Sequence, residues 1–498
     1  MSKHLNNRTG KPIKVLWFGD LVALSGFGRI GNEITRRLRA RGYDLQGAGI
    51  SYTGWPHDFP FHIWPLGGQD LWNGLVTIVN ATNPDVLVSC QDFPYHQTIW
   101  QGCRIDFSRV RWVWITPIDG TPVHPDWLNL CKFADGRMVI SRFGVEALRQ
   151  AGQHVDLCQP GVNTDEFYPA APEEKAALRA QAGYAAEDWI VGVMAMNQGR
   201  KAIPAMIEAF HEMARDKPEA KLLLDMDPAS PAGWDIPKLL GQMGWSEAEQ
   251  KRVKYRPDLF VKDGKPNGAM LPLRNRYALL DAHMVISHRE GYGLPLVESM
   301  ACRIPTLALD WCSGPEIVGE DRGLLVQRLE YMEYGTWGGA KDAFPNLKDL
   351  TAKLGRLYDD RTLAAHLAET GYQWARTLSW ETATDQVEDV IQRALARAQK
   401  EPSSHAASKP NPAPGLSDTY GPGHEPASAP ATAVAVGDHP GLQRSEGDHP
   451  VPEKPGTDAG GGGAEKPAAD GRDPGAGRLQ PGREPGGDPG AAGAGAAQ

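Results

Sequence analysis

Two successive series of short apolar runs alternating with helical periodicity, divided by a segment that can form neither, constrain this chain more than any other feature. The first series opens with IKVLWF (13–18), crosses a glycine-rich loop and enters a helix near Arg29, with further strands expected at 44–50, 85–89, 111–116 and 137–140. The second opens with WIVGVMAM (189–196). It continues through a helix over 203–215, strands at 221–226 and 283–287, a helix over 294–302 and a strand at 305–309. Short, continuously apolar strands separated by helices read as parallel sheets covered on both faces. Between the two series, QPGVNTDEFYPAAP (159–172) places Pro, Gly and Asn where any regular element would be interrupted, which marks a hinge.

The expectation is therefore an α/β chain of two tandem Rossmann-like domains. They span 12–160 and 173–385, joined by a hinge at 161–172 and followed by a closing helix at 386–400. After Leu325 a polar loop is expected, then helices at about 347–370 and 380–399 that pack back across both domains. The remainder, 401–498, holds 36 Gly or Pro in 98 residues, a single aromatic (Tyr420) and no Ile. Such a segment buries too little apolar surface to offset chain entropy and reads as disordered.

The formal charge is −9, most of it in the tail, so the folded part is near neutral and does not demand a nucleic-acid partner. Arg36, Arg37, Arg39 and Arg41 bunch at the end of the first expected helix. They read as cations completing a helix C-terminus on a solvated face, with contact to an anionic surface as the alternative. Six cysteines lack CxxC spacing, and MSKHLNNRTGKPIK lacks the apolar core of a signal peptide, so a cytoplasmic protein with reduced thiols is expected. No apolar run approaches the ~18 residues of a membrane span, so any membrane contact would be peripheral.

Three motifs bear on chemistry. GFGRIG, Gly26 to Gly31, matches a phosphate-facing glycine loop at a helix start, where backbone N–H groups are accessible. A dinucleotide site is disfavoured, because GDLVALS separates the glycines from the strand and the second strand ends in GAGISY without a carboxylate before Asp58. In HREGYGLPLVESMACRIP, Glu290 follows a strand, Gly291 and Gly293 free nearby backbone N–H groups, and Glu298 lies one turn inside a helix beginning near Leu294. Two carboxylates in one crevice suit the vicinal hydroxyls of a ligand with two sugar rings, although a capped surface helix with an incidental carboxylate pair fits the residues equally. Arg200 and Lys201 follow the first strand of the same domain and supply charge for a diphosphate.

Taken together these segments resemble glycosyltransferase family 4, retaining enzymes of the two-domain GT-B fold. Glu290-Gly291-Tyr292-Gly293-Leu294 through Glu298 matches that family's E-G-F-G-L-x-x-x-E with Tyr for Phe. The stretches QPGVNTDEFYP, GPEIVGEDRGLLV and LSWETATDQVEDVI resemble its hinge, its post-glutamate segment and its closing helix. The resemblance implies that Glu298 binds ribose and Glu290 a donor-sugar hydroxyl. Arg200 and Lys201 would hold the diphosphate, while Gly26 and Gly28 face it from the N-terminal domain. It implies a nucleoside-diphosphate sugar donor, UDP- or GDP-linked, with no metal and no further cofactor. Where many family members carry a cleft histidine, ITPIDGTPVHPDW offers Asp119 and, five residues later, His124; with QDFPYH, which contains Asp92, this loop is the expected acceptor wall. Acceptor classes left open are a glycan, a lipid-linked glycan, a protein, a metabolite and a modified nucleobase.

Two rival readings remain. A metal-dependent GT-A transferase would use the D-x-D sequence Asp225-Met226-Asp227, and a catalytically silent GT-B protein would bind a nucleotide sugar without transferring it. Truncation after Lys400 is expected to leave donor hydrolysis unchanged; a large loss of activity in the shortened chain would show that the tail takes part.

Overall fold

The computed structural model describes residues 4–5, 10–23, 25–68, 70–262, 265–266, 269–319, 321–334 and 339–400; the expected disordered tail lies outside them. The first domain is a parallel sheet of seven strands. These are β1 (Lys14–Gly19), β2 (Asp44–Gly49), β3 (Ile63–Pro65), β4 (Val86–Cys90), β5 (Arg111–Thr116), β6 (Gly136–Val139) and β7 (Asp156–Leu157), in the order 3-2-1-4-5-6-7. The second domain holds β8 (Trp189–Met194), β9 (Ala220–Asp225) and β10 (Val253–Tyr255), then a small antiparallel excursion, β11 (Phe260–Lys262), β12 (Lys265–Pro266) and β13 (Ala269–Met270). It returns through β14 (Ala282–Val285), β15 (Thr306–Leu309) and β16 (Leu324–Val326), giving a parallel sheet ordered 10-9-8-14-15-16.

The central strands β4, β5, β8 and β14 are buried along their whole length, as a sheet covered on both faces by helices requires. In each sheet the strand order reverses beside the first strand, between β1 and β4 and between β8 and β14. Open α/β sheets bind ligands in the crevice outside the carboxyl ends of strands at such a reversal.

The edge strands β3, β7, β10 and β16, two or three residues each, go beyond the elements legible in the sequence. The polar loop expected after Leu325 is corrected. Part of it is β16, and beyond that β17 (Arg328–Tyr334) and β18 (Lys341–Pro345) pair as an antiparallel hairpin. That hairpin is tied down by backbone bonds from Lys341 N–H to the Thr121 carbonyl (2.9 Å) and from Ala343 N–H to the His288 carbonyl (3.1 Å). It thus touches both domains.

The helix Gly26–Ala40 starts with Ser25, whose hydroxyl accepts from Gly28 N–H at 2.9 Å, and buries Ile30, Ile34 and Leu38 on one stripe. Its arginines do not form an open basic face. Arg37 meets Glu381 at 2.9 Å, Arg41 meets Glu381 and Asp385 at 2.6 and 2.7 Å, and Arg36 meets Asp58 at 2.6 Å. Glu381 and Asp385 lie on the final helix, Trp380–Lys400, so the cluster pins that helix to the first domain. Among the described residues no helix is long and apolar enough to cross a membrane.

The metal-dependent GT-A alternative does not survive the fold, which has two separate parallel sheets. Asp225, at the end of β9, is buried and bound by Arg256 at 2.7 Å and by Arg276, while the Asp227 carboxylate accepts Ala229 N–H at 3.0 Å in the following turn. The D-x-D sequence has a structural role.

Two histidines are sealed in the domain interiors, His96 on the helix Phe93–Gln101 and His283 on β14. His96 packs beside Trp112 and Trp114 with Nδ1 3.0 Å from the Ser89 hydroxyl, and His283 Nδ1 lies 2.9 Å from that of Ser299. Burial drives both down to about 3. A histidine whose folded pKa is depressed contributes its full stability above the unfolded value of roughly 6.5 and loses it as pH falls toward the folded value. Each therefore costs about 2 kcal/mol on going from pH 7 to pH 5. In His96→Gln the fall in unfolding free energy over that interval should shrink by about this amount, as measured by urea denaturation at the two pH values.

Candidate functional site

The loops at the two sheet reversals face each other. From the first domain come Asp20 and Ser25 after β1, Asp92 after β4 and Asp119 after β5; from the second come Arg200 and Lys201 after β8 and Glu290 after β14. Gly199–Lys201 forms a single 3-10 turn closed by Ala202, a non-glycine residue in the left-handed region at φ 43°.

Lys201 Nζ lies 2.5 Å from Glu290 Oε2, and the Arg200 guanidinium 3.9 Å from the same oxygen. The Ser287 hydroxyl donates to it at 3.0 Å. Arg200 is held from behind, donating to the Arg289 carbonyl at 3.2 Å while its own carbonyl accepts His288 N–H at 2.8 Å. Burial opposes ionisation of Glu290, yet Lys201 and Arg200 together hold its carboxyl below the usual range. Lys201 is also lowered, by burial and by the adjacent Arg200 charge, against the pull of Glu290. Two cations share one carboxylate, so repulsion from Arg200 adds to the burial that depresses the lysine.

Glu298, eight positions on, lies in the helix Leu294–Ala301 and is only 6% exposed. Tyr277 donates its hydroxyl to Oε2 at 2.8 Å, and Arg29 Nε approaches Oε1 at 3.0 Å. Burial raises the Glu298 carboxyl, and Arg29 opposes that rise. Gly293 caps this helix at φ 94°, a backbone angle that favours glycine. Gly291 is required by proximity, since a Cβ there would fall 2.6 Å from Pro117 Cβ of the facing domain. Gly26 lies at ordinary contact distance from Leu294, whereas a Cβ on Gly28 would strike the Ala23 carbonyl oxygen at 2.0 Å. The glycine loop thus folds tightly onto its own helix and abuts the glutamate helix.

Tyr292 takes a different place from its motif neighbours. Its ring is buried and its hydroxyl donates to the Pro160 carbonyl at 3.0 Å, bracing the hinge. The Ser313 hydroxyl lies 2.9 Å from the carbonyl oxygens of both Glu290 and Tyr292, sharing its one proton between them, and fixes the loop from below.

On the opposite wall Asp92 caps the helix Phe93–Gln101 without using its side chain as the cap. Burial pushes its carboxyl up to about 7, Asp119 and Asp20 add repulsion, and Arg200 counters them. Asp119 lies 3.9 Å from Arg289, which also meets Asp342 of the hairpin at 2.5 Å. His124 stands apart from this group. Its Nδ1 accepts Asp126 N–H at 3.2 Å as the cap of the helix Pro125–Leu130. Sequence reasoning missed Arg29, Arg289, Ser287 and Tyr277; Arg29 and Arg289 sit inside or beside the motifs it used, where attention fell on glycines and carboxylates.

Residues 270–335 match the family model of glycosyl transferases group 1. The architecture is that of the GT-B proteins, two facing Rossmann-type domains. HepE of Anabaena, solved in complex with UDP and glucose, superposes with a TM-score of 0.56 at 18% identity, covering 76% of this chain and 98% of that one. Sucrose-phosphate synthase of Thermosynechococcus elongatus gives 0.59 at 18%, covering 77% and 100%. In sequence the chain is similar to the D-inositol 3-phosphate glycosyltransferases of Mycobacteroides abscessus, 26% identical over 51% of this chain and 50% of that protein, and of Mycobacterium tuberculosis, 27% identical over 52% and 47%. The chain spans about half the length of the curated relatives it matches.

Removing one partner of a buried ion pair strands the other charge at a cost of about 3–5 kcal/mol. Lys201→Met should accordingly destabilise the protein by roughly 3 kcal/mol, and adding Glu290→Gln should recover part of that loss, as read by chemical denaturation of the single and double variants.

Proposed function

We propose that this chain is a retaining glycosyltransferase that moves a sugar from a nucleoside-diphosphate sugar, a UDP-sugar in the first instance, to an acceptor hydroxyl without a metal ion. The observation that carries the reading is the pair of cations Arg200 and Lys201 beside Glu290 at the β8–β14 reversal, where the second domain contributes more positive than negative charge. A diphosphate would supply the missing negative charge. The match to the group 1 model across the glutamate motif supports it, as do the glycosyltransferase relatives and a structural neighbour solved with UDP-glucose.

In this reading Arg200 forks onto the diphosphate, Lys201 acts as a point charge beside it, and the helix start at Gly26 and Gly28 approaches from the other side. Glu290 accepts from a hydroxyl of the transferred sugar and Glu298 from the ribose. When the bond between the anomeric carbon and the phosphate oxygen breaks, its electron pair stays on the departing diphosphate. Arg200 and Lys201 stabilise that developing charge electrostatically. The acceptor oxygen forms its bond on the same face, and its proton passes to the leaving phosphate oxygen. Asp92 and Asp119 border the space the acceptor would enter.

Thermal-shift and calorimetric titration with UDP and GDP in the presence of EDTA tests this. The wild type should bind one nucleotide, and Arg200→Ala should weaken binding about tenfold or more, the scale of a lost charge-assisted hydrogen bond. Release of free sugar or UDP from a UDP-sugar should fall in parallel. Binding that appears only when Mn2+ is restored would overturn metal independence, and tight binding with no turnover on any donor would point to the silent nucleotide-sugar-binding alternative.

A further inference from the structure

Glu298 is buried in the second domain, yet the one cation in contact with it among the described residues comes from the first. Arg29, fourth residue of the helix Gly26–Ala40, places Nε 3.0 Å from Glu298 Oε1. The rest of its guanidinium is anchored, with Nη1 2.9 Å and Nη2 3.4 Å from the two oxygens of hinge Glu166, and its Cζ lies 4.9 Å from the Phe167 ring centre. The group therefore has little freedom to leave. The other charged and titratable groups facing Glu298 are few. From the helix Leu273–Ala278, Tyr277 donates to Oε2, and Arg276 attracts from a distance while committed to Asp225. Glu166 repels through Arg29, and Cys302 lies farther along the helix's own direction.

A carboxylate has about four acceptor positions. Arg29 takes one on Oε1 and Tyr277 one on Oε2, so each oxygen retains capacity for a further hydrogen bond. We propose that Arg29 is a positioning residue for the donor's ribose, holding Glu298 as an oriented carboxylate so that the grip on the ribose hydroxyls exists only where the two domains meet. This rests on the donor-site reading above and extends it, since the ribose subsite then belongs to both domains.

The physical reason is desolvation. An isolated carboxylate with so little exposure favours its neutral form, and a neutral carboxyl keeps fewer free acceptor positions. Arg29 offsets that preference. Without it the Glu298 carboxyl rises further, so the neutral form gains population as pH falls and the charge returns as pH increases.

The test is titration of the full chain with UDP and with 2′-deoxy-UDP in EDTA at pH 6, 7 and 8.5. In the wild type UDP should bind about tenfold more tightly than the deoxy analogue, the loss expected for one hydrogen bond to a charged group, and the ratio should be flat with pH. In Arg29→Ala the ratio should collapse toward one at pH 6 and recover in part by pH 8.5, while Arg29→Lys keeps most of it at pH 7. In a Glu298→Gln background, whose side chain cannot ionise, adding Arg29→Ala should leave the ratio unchanged. If Arg29→Ala weakens both nucleotides equally and keeps the wild-type ratio at every pH, Arg29 only braces the hinge and the proposal is overturned. A wild type that does not distinguish the two nucleotides overturns the ribose reading of Glu298 and this proposal together.

Discussion

Two glutamates are held out of bulk water at the carboxyl edge of the second sheet, and much of the surrounding structure serves to make that tolerable. A buried carboxylate without compensation takes up a proton rather than remain charged. Glu290 is compensated locally, by Lys201 and Arg200 on the loop after β8 and by Ser287 on its own approach. Glu298 is compensated from across the crevice, by Arg29, with Tyr277 on its other oxygen. The glutamate loop accordingly depends on two independent supports, one within its own domain and one reaching over from the first.

The crevice is electrostatically two-sided. The second domain contributes more cation than anion at Arg200, Lys201 and Glu290, while the first presents Asp20, Asp92 and Asp119 from the ends of neighbouring strands. Because the Asp92 carboxyl is pushed up to about 7, the charge of the first domain's wall changes near neutrality.

The principal strands of both domains were legible because parallel strands buried on both faces write themselves as unbroken apolar runs, whereas of the first domain's helices only the one near Arg29 was placed. The edge strands were not, since two or three residues such as Asp156–Leu157 leave no periodicity to detect. The β17–β18 hairpin escaped for a different reason. Its first strand is mostly exposed, and its place is fixed by backbone bonds to Thr121 and His288 that local pattern cannot announce. Of the candidate site, Glu290, Glu298, Arg200 and Lys201 stood out in the sequence because their chemistry is concentrated in two short segments. Arg29 was passed over inside GFGRIG, and its partners at 166 and 298 lie more than a hundred residues away. The arginines at 36, 37 and 41 looked like a surface feature for the same reason, as their carboxylates belong to the final helix and to Asp58.

That final helix changes what the hinge is. The chain leaves the first domain through 159–172 and returns to it ahead of Trp380. The two crossings lie side by side, Val162 N–H bonding the Leu378 carbonyl at 3.2 Å and Gly161 so close to Trp380 that a Cβ would sit 2.3 Å from its backbone nitrogen. A single strand of chain would let one domain swivel freely about the other. Two adjacent strands, one bonded to the other, act as a strap hinge. Such a pair resists twist across the line joining the two crossings, so it restricts any relative rotation of the domains to that one line.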